Sequence, residues 1–216
     1  MKSKFVNIRG YVARRPYFYF YNFLWRLTAD VFLFLIYFSG VVWAEEFNLL
    51  HAMDTPVYTV GFSSDGKVLA TGGPKWSLDI WDPSTGKHLF AIKGHTSDVT
   101  ALAFSRDGNL LASGSSDKSV KIWDARSFQL RQSLSHSHKI TTVAFSPRGH
   151  LLATGGKDGR IRIWNSATFQ MVNTLKGHPH PFLNFPWGLT SLSFSPDGKI
   201  LVSSADEVEN VKVWDP

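Results

Sequence analysis

The 216-residue chain has no cysteine, which excludes a disulfide scaffold and a thiolate metal site. Long apolar runs are also missing. The most apolar uncharged run, Val31 to Ala44 (VFLFLIYFSGVVWA), has 14 residues, short of the ~20 that a helix needs to cross a bilayer. Basic charge is scarce where a nucleic-acid surface would need it. The net charge is +6, but residues 1–30 carry Lys2, Lys4, Arg9, Arg14, Arg15 and Arg26 against Asp30 alone, a local +5. Residues 45–216 mix 17 basic with 16 acidic side chains, so the body has no footprint for phosphates and no nucleic-acid partner is expected. The body lacks helical periodicity long enough to matter; a Gly-rich phosphate loop, an EF-hand loop and a nucleophile elbow are also lacking, and no cofactor is expected.

The first 44 residues form a basic and aromatic leader. The apolar run 31–44 follows basic residues and precedes Glu45-Glu46, the layout of a secretory signal, and Val42-Trp43-Ala44 places small residues where signal peptidase reads. Cleavage after Ala44 is expected, with an uncleaved membrane anchor through 31–44 as the alternative. Charge bias puts the rest of the chain on the far side of the membrane, periplasmic or secreted. A 44-residue leader is long for a signal, and a start near Leu24 would leave an ordinary one with Arg26 as its basic end.

The body, 45–216, is one unit written four times. Trp81, Trp123, Trp164 and Trp214 sit in alternating strands (LDIWD, VKIWD, IRIWN, VKVWD) spaced by 42, 41 and 50 residues. Each follows a turn ending at Gly66, Gly108, Gly149 or Gly198 by 15, 15, 15 and 16 residues. Before each turn comes an alternating strand (VYTVGF, VTALAF, ITTVAF, LTSLSF), and after it an apolar one (VLATGG, LLASGS, LLATGG, ILVSSA). A fourth segment links one Trp strand to the next unit, giving units of about 47–82, 89–124, 128–165 and 169–215. Four short strands per ~41 residues predict an all-β propeller of four-stranded antiparallel blades.

Gly94-His95 followed by VTALAFSRDGNLLASGSSDKSVKIWD (Val99 to Asp124) resembles a consensus repeat of the WD-repeat β-propeller family, over about 170 residues of the chain. The resemblance implies that a loop His, a strand Ser or Thr, a turn Asp and the Trp form a hydrogen-bonded structural staple rather than a catalytic set. It implies His95, Ser113, Asp117 and Trp123 in the second unit and His136, Thr154, Asp158 and Trp164 in the third, nearly intact. In the first unit Met53 and Lys75 stand where His and Asp belong, so its staple is absent. The fourth has His178, Ser203 and Trp214, with Asp206 and Glu207 as rivals for the acid. In the short pairs His136/His138 and His178/His180, each lying in the loop before an inner strand, His136 and His178 already have staple roles and the others are read as spare loop histidines, so no metal site is expected.

Seven extra residues in the fourth unit fall in Pro179 to Trp187 (PHPFLNFPW). Its Phe182, Leu183, Phe185 and Trp187, stiffened by prolines, have the character of a protein-binding hot spot, and the family fold would bring them near Asp206, Glu207 and Glu209. The competing reading has these aromatics folded down as a plug. Family propellers usually close with about seven blades, so four units imply a partial or unusually small ring. The options are a strained ring, a half ring completed by a homo-oligomer, or a fragment of a longer WD-repeat protein. Phe47 to Met53 (FNLLHAM) has the spacing of an outer strand that would close the circle with the last blade. The expected function is a non-enzymatic scaffold binding other proteins; a propeller hydrolase or lactonase is the alternative.

Overall fold

The computed structural model describes residues 50–52, 55–148, 150–178, 188–206 and 211–216. The chain divides into two units, Met1–Asn48 and Leu49–Pro216, and all described residues belong to the second. The leader and its cleavage or anchoring, the aromatic insertion 179–187, and Glu207 and Glu209 lie outside the described residues.

The second unit is all-β. Blade 1 comprises β1 (Thr59–Phe62), β2 (Leu69–Gly72), β3 (Leu78–Asp82) and β4 (Lys87–Ile92). Blade 2 comprises β5 (Val99–Phe104), β6 (Leu110–Ser115), β7 (Ser119–Asp124) and β8 (Leu130–Ser135). Blade 3 comprises β9 (Ile140–Phe145), β10 (Leu151–Gly156), β11 (Ile161–Asn165) and β12 (Met171–Leu175), and blade 4 β13 (Leu189–Phe194), β14 (Leu201–Ala205) and β15 (Val211–Trp214). Each sheet is an antiparallel meander in chain order, four-stranded in blades 1 to 3 and three-stranded in blade 4 among the described residues.

The turns that set this register are written in side chains. Between β5 and β6, Ser105 Oγ donates to Asp107 Oδ1 (2.6 Å), the Asn109 N–H donates to the same oxygen (3.1 Å), and the Leu110 N–H closes on Ser105 Oγ (2.9 Å). Gly108 completes the turn at φ +72°, a conformation that side chains with a Cβ rarely adopt. The same arrangement recurs at Ser63/Asp65 and Ser195/Asp197. In blade 3, where Arg148 replaces the acid, Ser146 Oγ bonds to the Arg148 carbonyl instead.

Strand alternation gives each blade a large flank and a small flank. At the joint between blades 1 and 2, Leu111 and Trp123, with Leu102 and Phe104, pack on Ala70, Leu78 and Ile80. Blade 3 offers Val143, Leu152, Trp164 and Phe145 to Ala101, Ala103, Ala112 and Ile122 of blade 2. Blade 4 offers Leu192, Leu201, Phe194 and Trp214 to Ala144, Ala153, Ile161 and Ile163 of blade 3. Each blade thus hides its apolar face only against its neighbour. The close approach requires glycine at one position per joint: a Cβ on Gly72, Gly114 or Gly155 would stand 2.5 Å from Val99, 2.4 Å from Ile140 or 2.6 Å from Leu189.

The described blades form three such cores, so they stand as an arc rather than a closed four-bladed ring. Of the segment expected to close the circle, Leu50 to Ala52 is not a strand, and His51 Nε2 bonds to the Ser84 carbonyl in the β3–β4 turn of blade 1 (3.0 Å).

Candidate functional site

In blade 2 the polar set lies inside the protein. The Trp123 indole N–H donates to Ser113 Oγ (2.8 Å), and the Ser113 hydroxyl reaches His95 Nε2 (2.7 Å). His95 Nδ1–H donates to Asp117 Oδ2 (2.8 Å). Asp117 also accepts from the Thr96 N–H, the Ser119 N–H and the Ser119 hydroxyl at 3.0, 2.9 and 2.7 Å. Strands β6 and β7 supply Ser113 and Trp123, the loop after β4 supplies His95, and the β6–β7 turn supplies Asp117. Ser113 is 0% exposed and His95 7%. Trp123, Ser113 and His95 each donate to an acceptor in this set, which fixes the imidazole tautomer.

The electrostatics agree with a neutral imidazole. Burial lowers the His95 pKa below 6.5, against the opposing hydrogen bond and charge of Asp117, so the 2.8 Å contact is a hydrogen bond rather than an ion pair. For Asp117, burial works to raise the pKa, but the hydrogen bonds from Ser119, Thr96 and His95 outweigh it and hold the carboxyl at about 2.

Blade 3 departs from the expected staple. Trp164 Nε1–H donates to Thr154 Oγ1 (2.9 Å), and Thr154 meets His136 Nε2 (2.9 Å). His136 Nδ1–H, however, turns to the Leu134 carbonyl (3.1 Å). Asp158 is taken by Arg162 (2.7 Å), with Ser137 at 3.2 Å. The reason is steric reach: Arg162 lies two residues before its Trp, where blade 2 has Lys121, and its guanidinium spans to the carboxylate. Burial lowers the His136 pKa as well.

In blade 4, His178 Nε2 and Trp214 Nε1 share Ser203 Oγ at 2.9 and 2.8 Å. Asp206, a rival for the acid, instead accepts from Lys157 Nζ of blade 3 (2.6 Å) at the surface. Blade 1 retains only the Trp81 Nε1–H bond to Thr71 Oγ1 (2.9 Å), and Lys75 lies in its β2–β3 turn at φ +71°.

A role not foreseen belongs to the residue after Trp81, Trp123 and Trp164. Asp82 Oδ1 accepts from the Ser84 N–H (2.9 Å), and Asp124 Oδ1 accepts from the Arg126 and Ser127 N–H groups (3.0 and 2.9 Å). Asn165 Oδ1 serves the Ala167 and Thr168 N–H groups equally (2.9 and 3.0 Å). These side chains cap the turn into the outer strand, and Asn165 keeps that backbone cap. The signal was present in the runs DPST, DARS and NSAT, each an acceptor followed by turn residues.

Of the proposed binding patch only Asp206 is described. Gly188, just after the insertion, lies against it: its carbonyl accepts from the Asp206 N–H (3.0 Å), and a Cβ on Gly188 would meet Lys157 Cδ at 2.4 Å. His138 bonds to Ser137 Oγ (3.1 Å) at the surface. Among the described residues no three His, Asp or Glu side chains gather as a metal site, and no helix is long and apolar enough to cross a membrane.

The chain is similar to known proteins throughout this region. The profile of the WD40 family (WD domain, G-beta repeat) matches residues 47–82, 86–124, 128–165 and 169–215. An uncharacterised WD repeat-containing protein of Nostoc sp. (strain PCC 7120) is 42% identical over 60 residues, 26% of this chain and 4% of that protein. The solved structures of U3-55K and of the RRP9 WD40 repeats each superpose with a TM-score of 0.67 at 25% identity, covering 78% of this chain. The chain spans 51% of each of those solved chains. Four blades in register, each built around a Trp held by a buried hydroxyl, and a family match to all four repeats show that this chain belongs to the WD40 repeat family.

Proposed function

We propose that the chain is a non-enzymatic, exported platform that holds other proteins on its loop face. The observation that carries the non-enzymatic reading is the burial of Ser113. A nucleophile must reach substrate, and this hydroxyl is 0% exposed, with Trp123 and His95 as its partners. What resembles a Ser-His-Asp set is used up internally. A bound stoichiometric metal, or turnover in a panel of ester and lactone substrates, would overturn this reading.

The binding surface centres on Phe182, Leu183, Phe185 and Trp187 with Asp206, Glu207 and Glu209. Its support is the composition of the insertion and the position of Gly188, which anchors the end of that segment beside Asp206. Aromatic side chains on a segment restricted by prolines bind at low entropic cost. The test is partner capture with wild type and with Phe182, Phe185 and Trp187 changed to Ala; the triple change abolishes capture, and unchanged capture overturns the assignment. Export rests on the run 31–44 and its basic flank. N-terminal sequencing of the mature protein then starts at Glu45, and a retained leader contradicts cleavage.

A further inference from the structure

The antiparallel meander sends two kinds of connection to the same end of a blade: the link that brings the chain into the inner strand, and the turn between the two middle strands. Backbone bonds stitch these segments into one face along the arc. The Val99 N–H donates to the Gly73 carbonyl (3.1 Å), the Ser116 N–H to the Asp98 carbonyl (2.9 Å) and the His136 N–H to the Lys118 carbonyl (2.8 Å). Further along, the Lys157 N–H donates to the Lys139 carbonyl and the His178 N–H to the Gly159 carbonyl, both at 3.0 Å.

Charge is sorted on this loop face in a way that the near-neutral balance of the body conceals. Lys75, Lys93, Lys118, Lys139, Arg160 and Lys176 all lie in these connections and are exposed. None of the six takes part in an ion pair among the described residues. The described acids of the same connections are mostly taken: Asp117 by His95, Thr96 and Ser119, Asp158 by Arg162, and Asp206 by Lys157, which leaves Asp98. The turns at the opposite end are balanced instead. There Lys67, Arg106, Arg126 and Lys199 each stand within two residues of an acid, Asp65, Asp107, Asp124 and Asp197, with Arg148 as the exception.

Trp76 adds an apolar contact where the cationic row begins. It is 55% exposed in the β2–β3 turn of blade 1, beside Lys75, and the two residues sit at φ +66° and +71°. Left-handed backbone costs energy in residues with a Cβ, and this turn buries none of its own side chains in return.

We propose that the loop face of blades 1 to 3 binds an acidic segment of another protein, its carboxylates lying along Lys75, Lys118 and Lys139 and an apolar side chain against Trp76. Phosphate fits this row less well. Five of the six cations are lysines, point charges rather than the bidentate forks that phosphate recognition favours, and Asp98 and the carboxylate of Asp206 interrupt the row with negative charge. The inference rests on the loop-face reading for the class of partner, but it uses none of residues 179–187.

The probe is a fluorescein-labelled peptide of Glu, Leu and Gly, titrated against the full chain by anisotropy at low and at physiological salt. Expected is binding that weakens as salt rises, is about tenfold weaker in Lys118→Glu/Lys139→Glu, and stays within about twofold of wild type in Arg106→Glu/Arg148→Glu at the opposite end. Circular dichroism establishes that both double variants fold as the wild type does. A water-soluble carbodiimide, which joins carboxylates to lysine amines, then places the peptide on Lys75, Lys118 or Lys139 by mass spectrometry. No binding, equal losses in the two double variants, links confined to Lys2 and Lys4, or tighter binding of a single-stranded oligonucleotide of the same charge overturns the proposal. The variant with Phe182, Phe185 and Trp187 changed to Ala keeps the peptide whether or not it loses its captured partner, so the two readings fail separately; loss of the peptide in that variant also overturns this one.

Discussion

Ser113 is one hydroxyl holding two buried nitrogens, those of Trp123 and His95. Ser113→Ala leaves both without their partner and is expected to cost about 1–3 kcal/mol in urea unfolding, since buried polar groups stripped of a bond keep their desolvation penalty. Protonation strikes the same place. Burial holds His95 and His136 below the free value of 6.5, so the unfolded chain gains protons there, as pH falls through about 6.5, that the folded chain refuses. Stability is therefore complete above about pH 6.5 and declines below it; a further loss follows between 3.8 and about 2 as Asp117 titrates. Unfolding midpoints taken from pH 8 to pH 3 check this, and a rise in stability on acidification would contradict it. The resemblance to a WD repeat, carried by residue types at matching positions, implied that His95, Ser113, Asp117 and Trp123 come together. It was not enough for Asp158, because spacing encodes where a backbone goes and not how far a guanidinium such as Arg162 reaches.

Strands and turns show the same division. The alternation of VTALAF and the run LLASGS mark β5 and β6, and Gly108 marks the turn, because each pattern has a local cause. Blade 1 reads less faithfully: VYTVGF suggests six residues, but β1 covers only Thr59–Phe62. The Tyr58 N–H still bonds to the Gly72 carbonyl (2.8 Å), so the contact with β2 runs one residue beyond the strand. Gly114 had no local signal at all, since its need for a missing Cβ arises from Ile140 in the next blade. Gly114→Ala is expected to destabilise the chain by about 1–3 kcal/mol through overpacking at that joint. Gly61→Ala, whose Cβ would lie 3.8 Å from Phe104 in ordinary contact, is expected to cost less. Denaturant melts of the two variants compare them, and equal losses would count against the joint geometry.

At the level of the molecule, repetition did the work. One module, readable once, was readable four times, and the order of blades follows from short links. The arc was open to three readings in the sequence because closure depends on geometry between distant ends, which no local pattern records. The central claim is that each repeat is an antiparallel module packed on the next copy of itself. Amide hydrogen exchange followed along the full chain tests it most directly. The account predicts slow exchange recurring over β2–β3, β6–β7 and β10–β11, at about 41-residue intervals, with faster exchange in the exposed outer strands β4, β8 and β12. A flat profile, or protection running unbroken through the links between blades, would contradict it.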